Sequence, residues 1–194
     1  MEGKRIGFAF CGSYCTYSNA MAALERTAAR WEDVTAIISE SGTVTDTRFG
    51  QAHGWMMEME RITGKPPITS IKEAEPIGPK KLLDALVICP CTGNTLAKLA
   101  NGIADTCVTM AAKSHLRNGR PVILAVSTND GLAGAAENIG RLLARRDFYF
   151  VPFRQDDPAG KPRSLVADFS LVEQTVAAAL NGQQIQPILL APQA

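Results

Sequence analysis

The sequence predicts an α/β fold, a Rossmann-like open parallel sheet with helices on both faces. Three observations carry this. Short β-rich runs alternate with helical stretches along the chain, which is the pattern of βαβ units. One run, Asp84 to Cys89, is continuously apolar after its first residue, as a strand buried on both faces is. The segments after four of the strands are rich in hydroxyls, amides and glycine, the make-up of loops at the ligand end of such a sheet.

The elements follow in order. Arg5 to Phe10 is the first strand. Ser18 to Trp31 is helical, because Met21, Leu24, Ala28 and Trp31 recur at helical steps on one face. Val34 to Ser39 is the second strand. From Glu40 to Pro79 the pattern is less regular, with a helix at Gln51 to Thr63 stopped by Gly64 and the Pro66-Pro67 pair, and loop at Pro76 to Pro79. Asp84 to Cys89 is the central strand. Thr95 to Asn101 is a helix ended by Gly102, and Thr106 to Asn118 another ended by Gly119. Val122 to Ser127 is a strand, Ala135 to Arg146 a helix and Phe148 to Val151 the last core strand. A polar loop, Arg154 to Arg163, leads to a closing helix, Ser164 to Leu180, and a tail at Ile185 to Leu190.

Composition narrows the class. The 194 residues suit one domain over the whole chain, with the C-terminal helix and tail from about residue 164. Hydrophobic residues at 46% and charged residues at 20% are ordinary globular usage, which argues against disorder and coiled coil. Twenty lysines and arginines against nineteen acidic residues leave +1, so no electrostatic reason exists to expect nucleic acid or an anionic membrane as partner. The short apolar run Ile6 to Phe10 is no signal-peptide core, and five cysteines, an odd number, fit reduced thiols in the cytoplasm. Cys11, Cys15, Cys89 and Cys91 fall near strand ends, but their spacing is not that of a zinc site, and no metal is expected.

Ligands of open parallel sheets bind beyond the carboxyl ends of the strands, where helix N-termini aim unpaired N–H groups outward. The segments to inspect are Cys11 to Thr16, Ser39 to Gly42, Pro90 to Thr95 and Ser127 to Gly131. Their glycines admit close backbone approach, their hydroxyls donate to phosphate oxygens, and their Asn side chains both donate and accept. That inventory fits a phosphate joined to a polar heterocycle. The chain lacks both G-x-G-x-x-G after the first strand and G-x-x-x-x-G-K-[ST], so a nicotinamide site or a P-loop is disfavoured.

The residues also carry a family resemblance. PCTGNTLAKLANGIAD, Pro90 to Asp105, resembles the P-A-S-A-N-T motif and following helix of the homo-oligomeric flavin-containing cysteine decarboxylase superfamily, the flavoprotein type of this fold. Gly12-Ser13 resembles its phosphate loop. Ser127 to Asp130, with Glu137-Asn138 and the FYFVP strand, is similar to its P-A-M-N region and the helix and strand after it. Further stretches are similar to the dipicolinate synthase B-subunit branch: Gly12, Ser13, Cys15 and Thr16, then Thr45 to Gly50, EAEPIGPK, and the PFRQDDP loop from Pro152.

The resemblance implies flavin mononucleotide (FMN) at Gly12, Ser13, Ser39, Pro90, Thr92, Gly93, Asn94 and Ser127. It implies a small dicarboxylate substrate, with Arg48 and Asn129 as candidate contacts, Arg48 because a guanidinium grips carboxylate bidentately. It also implies a homo-oligomer, trimer or dodecamer, and a nicotinamide-binding A subunit supplying NADP or NAD. The implied reaction is oxidation of a dihydro- or hydroxytetrahydro-dipicolinate to dipicolinate, a spore component. Two alternatives stand beside it: a flavin-dependent lyase or prenyltransferase of the same superfamily, and a non-catalytic binding subunit. The decarboxylases place a catalytic His before the central strand. This chain reads Ser70 to Glu75 there, and neither His53 nor His115 maps onto the position, so decarboxylation is not expected.

Overall fold

A computed structural model describes residues 3–191. The strands are β1 (Arg5–Phe10), β2 (Asp33–Ile38), β3 (Ala85–Cys91), β4 (Val122–Thr128), β5 (Phe148–Phe150), β6 (Phe153–Arg154) and β7 (Leu165–Ala167). The helices are α1 (Tyr17–Arg30), α2 (Glu40–Val44), α3 (Ala52–Thr63), α4 (Ile71–Ala74), α5 (Gly93–Asn101), α6 (Cys107–Leu116), α7 (Ala136–Leu143) and α8 (Val172–Ala179). Among the described residues no helix is long and apolar enough to cross a membrane.

The sheet is parallel in the order β2-β1-β3-β4, and β5 lies parallel to the first half of β4. Every residue of β3 is buried, as are Ile6 to Phe10 of β1 and Val122 to Ser127 of β4. Their continuous apolar runs make no half-exposed face, so helices must cover both sides. The helices do so, α1 packing with α3 and α8, and α6 with α4 and α5. Gly7 on β1 faces Leu83 and Leu86 so closely that a Cβ would stand 2.5 Å and 2.9 Å from their methyl carbons. Helix α3 ends as expected at Gly64, which takes the left-handed conformation (φ 71°) that glycine adopts without Cβ strain.

Several elements differ from the sequence reading. The central strand runs on through Pro90 to Cys91, because both remain buried between β1 and β4. Helix α5 begins at Gly93 rather than Thr95. Thr92 is its cap, accepting a hydrogen bond from the Thr95 N–H at 3.2 Å. The segment after β2 folds into the short helix α2, and Ser70 and Glu73 close a reciprocal capping box on α4.

The largest correction is the closing helix. Leu165 to Ala167 form β7, antiparallel to the second half of β4 and to β6, and the helix α8 starts only at Val172. The physical reason is β4 itself. Its last residues run past β5 and would leave backbone groups without partners on a buried edge. Val166 and Leu165 pair there with Ser127 and Thr128. Asp168 then accepts from the Ser170 N–H at 3.1 Å and turns the chain into α8.

Candidate functional site

The parallel strand order places the reversal of connectivity between β1 and β3. From β1 the chain crosses to β2 on one side, and from β3 to β4 on the other, so the loops diverge and leave a crevice at their carboxyl ends. That crevice, about 760 Å³, is lined by residues of the β1, β3 and β4 loops and by the β6–β7 loop.

The β1 loop contributes Ser13, Cys15 and Thr16. Ser13 holds the left-handed conformation (φ 71°, ψ 47°), which costs a residue with a Cβ and marks a conformation the surroundings enforce. Its hydroxyl is 2.7 Å from that of Ser127 at the end of β4. The Thr16 hydroxyl donates to the Ser13 carbonyl at 2.8 Å, fixing the turn from below.

The β3 loop contributes Thr92, Gly93 and Asn94. Because Thr92 caps α5, Asn94 is free of that role. Its side chain is exposed in the first turn, where unpaired N–H groups point into the crevice. Gly93 packs against the β4 loop, and a Cβ there would stand 2.8 Å from both Asp130 Oδ1 and Thr128 Oγ1. The Thr128 hydroxyl in turn donates to Asp130, and exposed Asn129 lies between them on the rim.

Beneath these loops the thiols of Cys11 and Cys91 are buried. A hydrogen bond from Cys91 pulls Cys11 down to about 7 against the opposing effect of burial, whereas burial pushes Cys91 up. Cys11 also hydrogen-bonds the Pro90 carbonyl at 2.9 Å, tying β1 to β3 at the crevice floor. Among the described residues no three metal-ligating side chains gather.

The structure brings Ser13, Thr92, Gly93, Asn94, Ser127 and Asn129 together in the lining. Gly12 and Pro90 stand just behind it, Gly12 with its α-carbon face 3.3 Å (as a built Cβ) from the Thr92 methyl and Pro90 through its bond from Cys11. Ser39 is not brought in. It is buried at the end of β2, with its hydroxyl 3.2 Å from that of Ser41. Nor is Arg48, which stands exposed on the Thr47–Gly50 turn with its guanidinium 4.8 Å from the Phe49 ring centroid.

Sequence reasoning missed the fourth wall. Asp156, Lys161, Ser164, Leu165 and Val166 close the crevice from the β6–β7 loop. The PFRQDDP stretch was the available signal, but reading the following residues as a helix pointed them elsewhere. Burial opposes ionisation of Asp156, and hydrogen bonds from Ser164 and Lys161 overcome it, holding the carboxyl below its usual range. The two histidines are remote. His53 is exposed on α3, and buried His115 on α6 contacts the Pro121 carbonyl at 3.1 Å, at the opposite end of β4.

Sheet order and crevice together define a doubly wound α/β protein that takes its ligand at the switch point between β1 and β3. Residues 1–146 match the model of the family described as Flavoprotein, and the chain belongs to that family. Within it the chain is similar to the B subunit of dipicolinate synthase from Bacillus subtilis (strain 168), with 45% identity over 190 residues, 98% of this chain and 95% of that protein. The crystal structure of the dipicolinate synthase B subunit from Bacillus halodurans C superposes with a TM-score of 0.90 at 44% identity, covering 99% of this chain and 98% of the other. The FMN binding protein AtHal3 shares the fold, with a TM-score of 0.64 and 18% identity over 94% of this chain and 99% of its own.

Proposed function

We propose that this chain is the B subunit of a two-subunit dipicolinate synthase. It binds FMN in the strand-end crevice and works with a nicotinamide-binding A subunit, which brings NADP or NAD. The reaction is oxidation of a dihydro-dipicolinate by removal of two hydrogens, or the same oxidation with loss of water from a hydroxytetrahydro-dipicolinate. The observation that carries this reading is the 45% identity to a dipicolinate synthase B subunit, which spans the crevice loops and the β6–β7 loop alike.

The residues fit the cofactor. Ser13 and Ser127 offer hydroxyls near the start of α1, and the first turn of α5 offers free N–H groups, a donor set suited to one phosphate. Asn94, Asn129 and Thr92 offer donors and acceptors to a heterocycle edge. Asp130 and Asp156 repel an anion, so Ser13, on the β1 side of the crevice lining, is the residue that would hold the phosphate. When bound, the flavin would supply a two-electron acceptor for a reaction that ends in an aromatic pyridine. The chain's own task is then to orient the dicarboxylate and exclude water, and the β6–β7 loop lining the crevice supports that reading. Neither histidine lines the crevice, which favours oxidation over the His-dependent decarboxylation of the wider superfamily.

The same reading has the protein work in the cytoplasm with free thiols, as a trimer or dodecamer. Val44, Phe49 and Met57, exposed near one another in sequence, supply apolar surface for such contacts. Reconstitution tests the function. The chain, the A subunit and a nicotinamide cofactor together should form dipicolinate, followed by its ultraviolet absorbance, and neither protein should do so alone. Equal product from the A subunit alone would reduce this chain to a binding partner. Flavin titration, read by fluorescence quenching, should favour the mononucleotide over the adenine dinucleotide.

A further inference from the structure

Among the described residues that line the crevice, Lys161 carries the single positive charge. A small dicarboxylate drawn out of water needs a cationic partner, because an unpaired carboxylate in a closed site is costly. Two neighbouring arginines are committed to other partners. Arg154 is paired with Asp168 at 2.7 Å, and Arg26 holds Glu173 at 2.9 Å and the Phe169 carbonyl at 2.8 Å. Lys161 is held by one long contact, 3.3 Å to Asp156, with its own side chain 61% exposed. So solvated a pair contributes little, and a ligand carboxylate can replace it cheaply.

The loop is built to present this lysine. The Gly160 N–H donates to Asp157 Oδ1 and the Lys161 N–H to the Asp157 carbonyl, both at 2.8 Å. The Ser164 N–H donates to the Lys161 carbonyl at 3.0 Å, and the Gln155 amide to the Pro162 carbonyl at 2.9 Å. Gly160 packs directly against the Asp157 carboxylate, which a side chain there would displace. At the loop's base β6 pairs with β7, and β7 with β4, which anchors Lys161 to the same strand end that carries Ser127 and Asn129.

We propose that Lys161 is the carboxylate-binding residue of this crevice, exchanging Asp156 for one carboxylate of a small dicarboxylate substrate. The proposal rests on the function proposed above and names the residue that serves its substrate class. It is tested with full-length, FMN-saturated protein by isothermal titration with pyridine-2,6-dicarboxylate at fixed ionic strength. Lys161→Met should weaken binding at least tenfold, Lys161→Arg should restore most of it, and Asp156→Asn should tighten it several-fold by removing the competing anion. FMN affinity should stay within twofold in all three. Wild-type affinity in Lys161→Met would overturn the assignment and leave the proposed function standing. A matching loss of FMN affinity would also overturn it, because Lys161 would then serve the cofactor phosphate. Wild-type protein that binds no pyridine-2,6-dicarboxylate would sink the proposed substrate class and this assignment with it.

Discussion

The two halves of β4 do different work. Its first residues, Val122 to Leu124, lie between β3 and β5, parallel to both and fully buried. Its last residues, Ser127 and Thr128, leave β5 behind and pair antiparallel with β7, their hydroxyls turned to the crevice. All of β4 belongs to the stretch that the family model matches, residues 1–146, together with β1, β2 and β3, while β5 follows just after it. Both β6 and β7 lie beyond that stretch, yet they are within the 190 residues shared with the B subunit of dipicolinate synthase. One end of the strand therefore holds the common scaffold, and the other mounts a wall that the narrower relatives share. Stability should concentrate at the first end and ligand affinity at the second.

The strongest test of that division is Leu124→Ala. Leu124 is fully buried and pairs with both Ile88 and Phe150. Truncation should remove about 2–5 kcal/mol of stability, measured by urea unfolding. A loss below about 1 kcal/mol would mean that this half of β4 is not the scaffold.

The start of β4 should also give stability a pH dependence through His115. Burial pushes its pKa down to about 4, from a usual ~6.5. The folded protein keeps the ring neutral, while the unfolded chain takes up a proton as pH falls through ~6.5. Stability from this group is therefore complete above ~6.5 and is lost progressively toward pH 4, on the order of 3 kcal/mol in total. Urea midpoints of wild type and His115→Gln at pH 7.5 and 4.5 would show it, and equal slopes in the two proteins would remove His115 as the cause.

At the site end the effects should fall on binding. Asn94→Ala should lower flavin affinity about 10–100-fold, ~1–3 kcal/mol, by leaving a polar ligand group unpaired. Because Thr92 and not Asn94 caps α5, the melting temperature should not move. A fall in melting temperature with affinity intact would reverse the two roles. The smallest effect is expected for Thr92→Ala, about 1 kcal/mol of stability from the lost cap, with some loss of flavin affinity as well.

The parallel sheet was legible because burial writes itself locally. A strand such as Leu86 to Cys89, apolar at every position, and a helix such as α1, apolar at every third or fourth, declare themselves within their own residues. The chemistry of the strand-end loops was legible for the same reason, since hydroxyls, amides and glycines cluster directly after each strand. The β6–β7 hairpin was not. Three residues of β7 show no period to read, and their partner is the edge of β4, far back along the chain.

Which polar residues share a cavity was likewise decided in three dimensions. Ser39 and Ser127 both follow a strand, but Ser39 lies buried at the end of β2 while Ser127 meets Ser13 across the switch point. Arg48 and Lys161 both sit in polar loops. One stands outside the crevice on its own turn, and the other is carried to the rim by a hairpin. The sequence by itself determined the layered α/β scaffold and the chemistry of its loops, because propensity and burial act over neighbouring residues. Only the tertiary structure decided the fourth wall of the site and its lysine, because a strand edge takes whatever distant segment satisfies its hydrogen bonds.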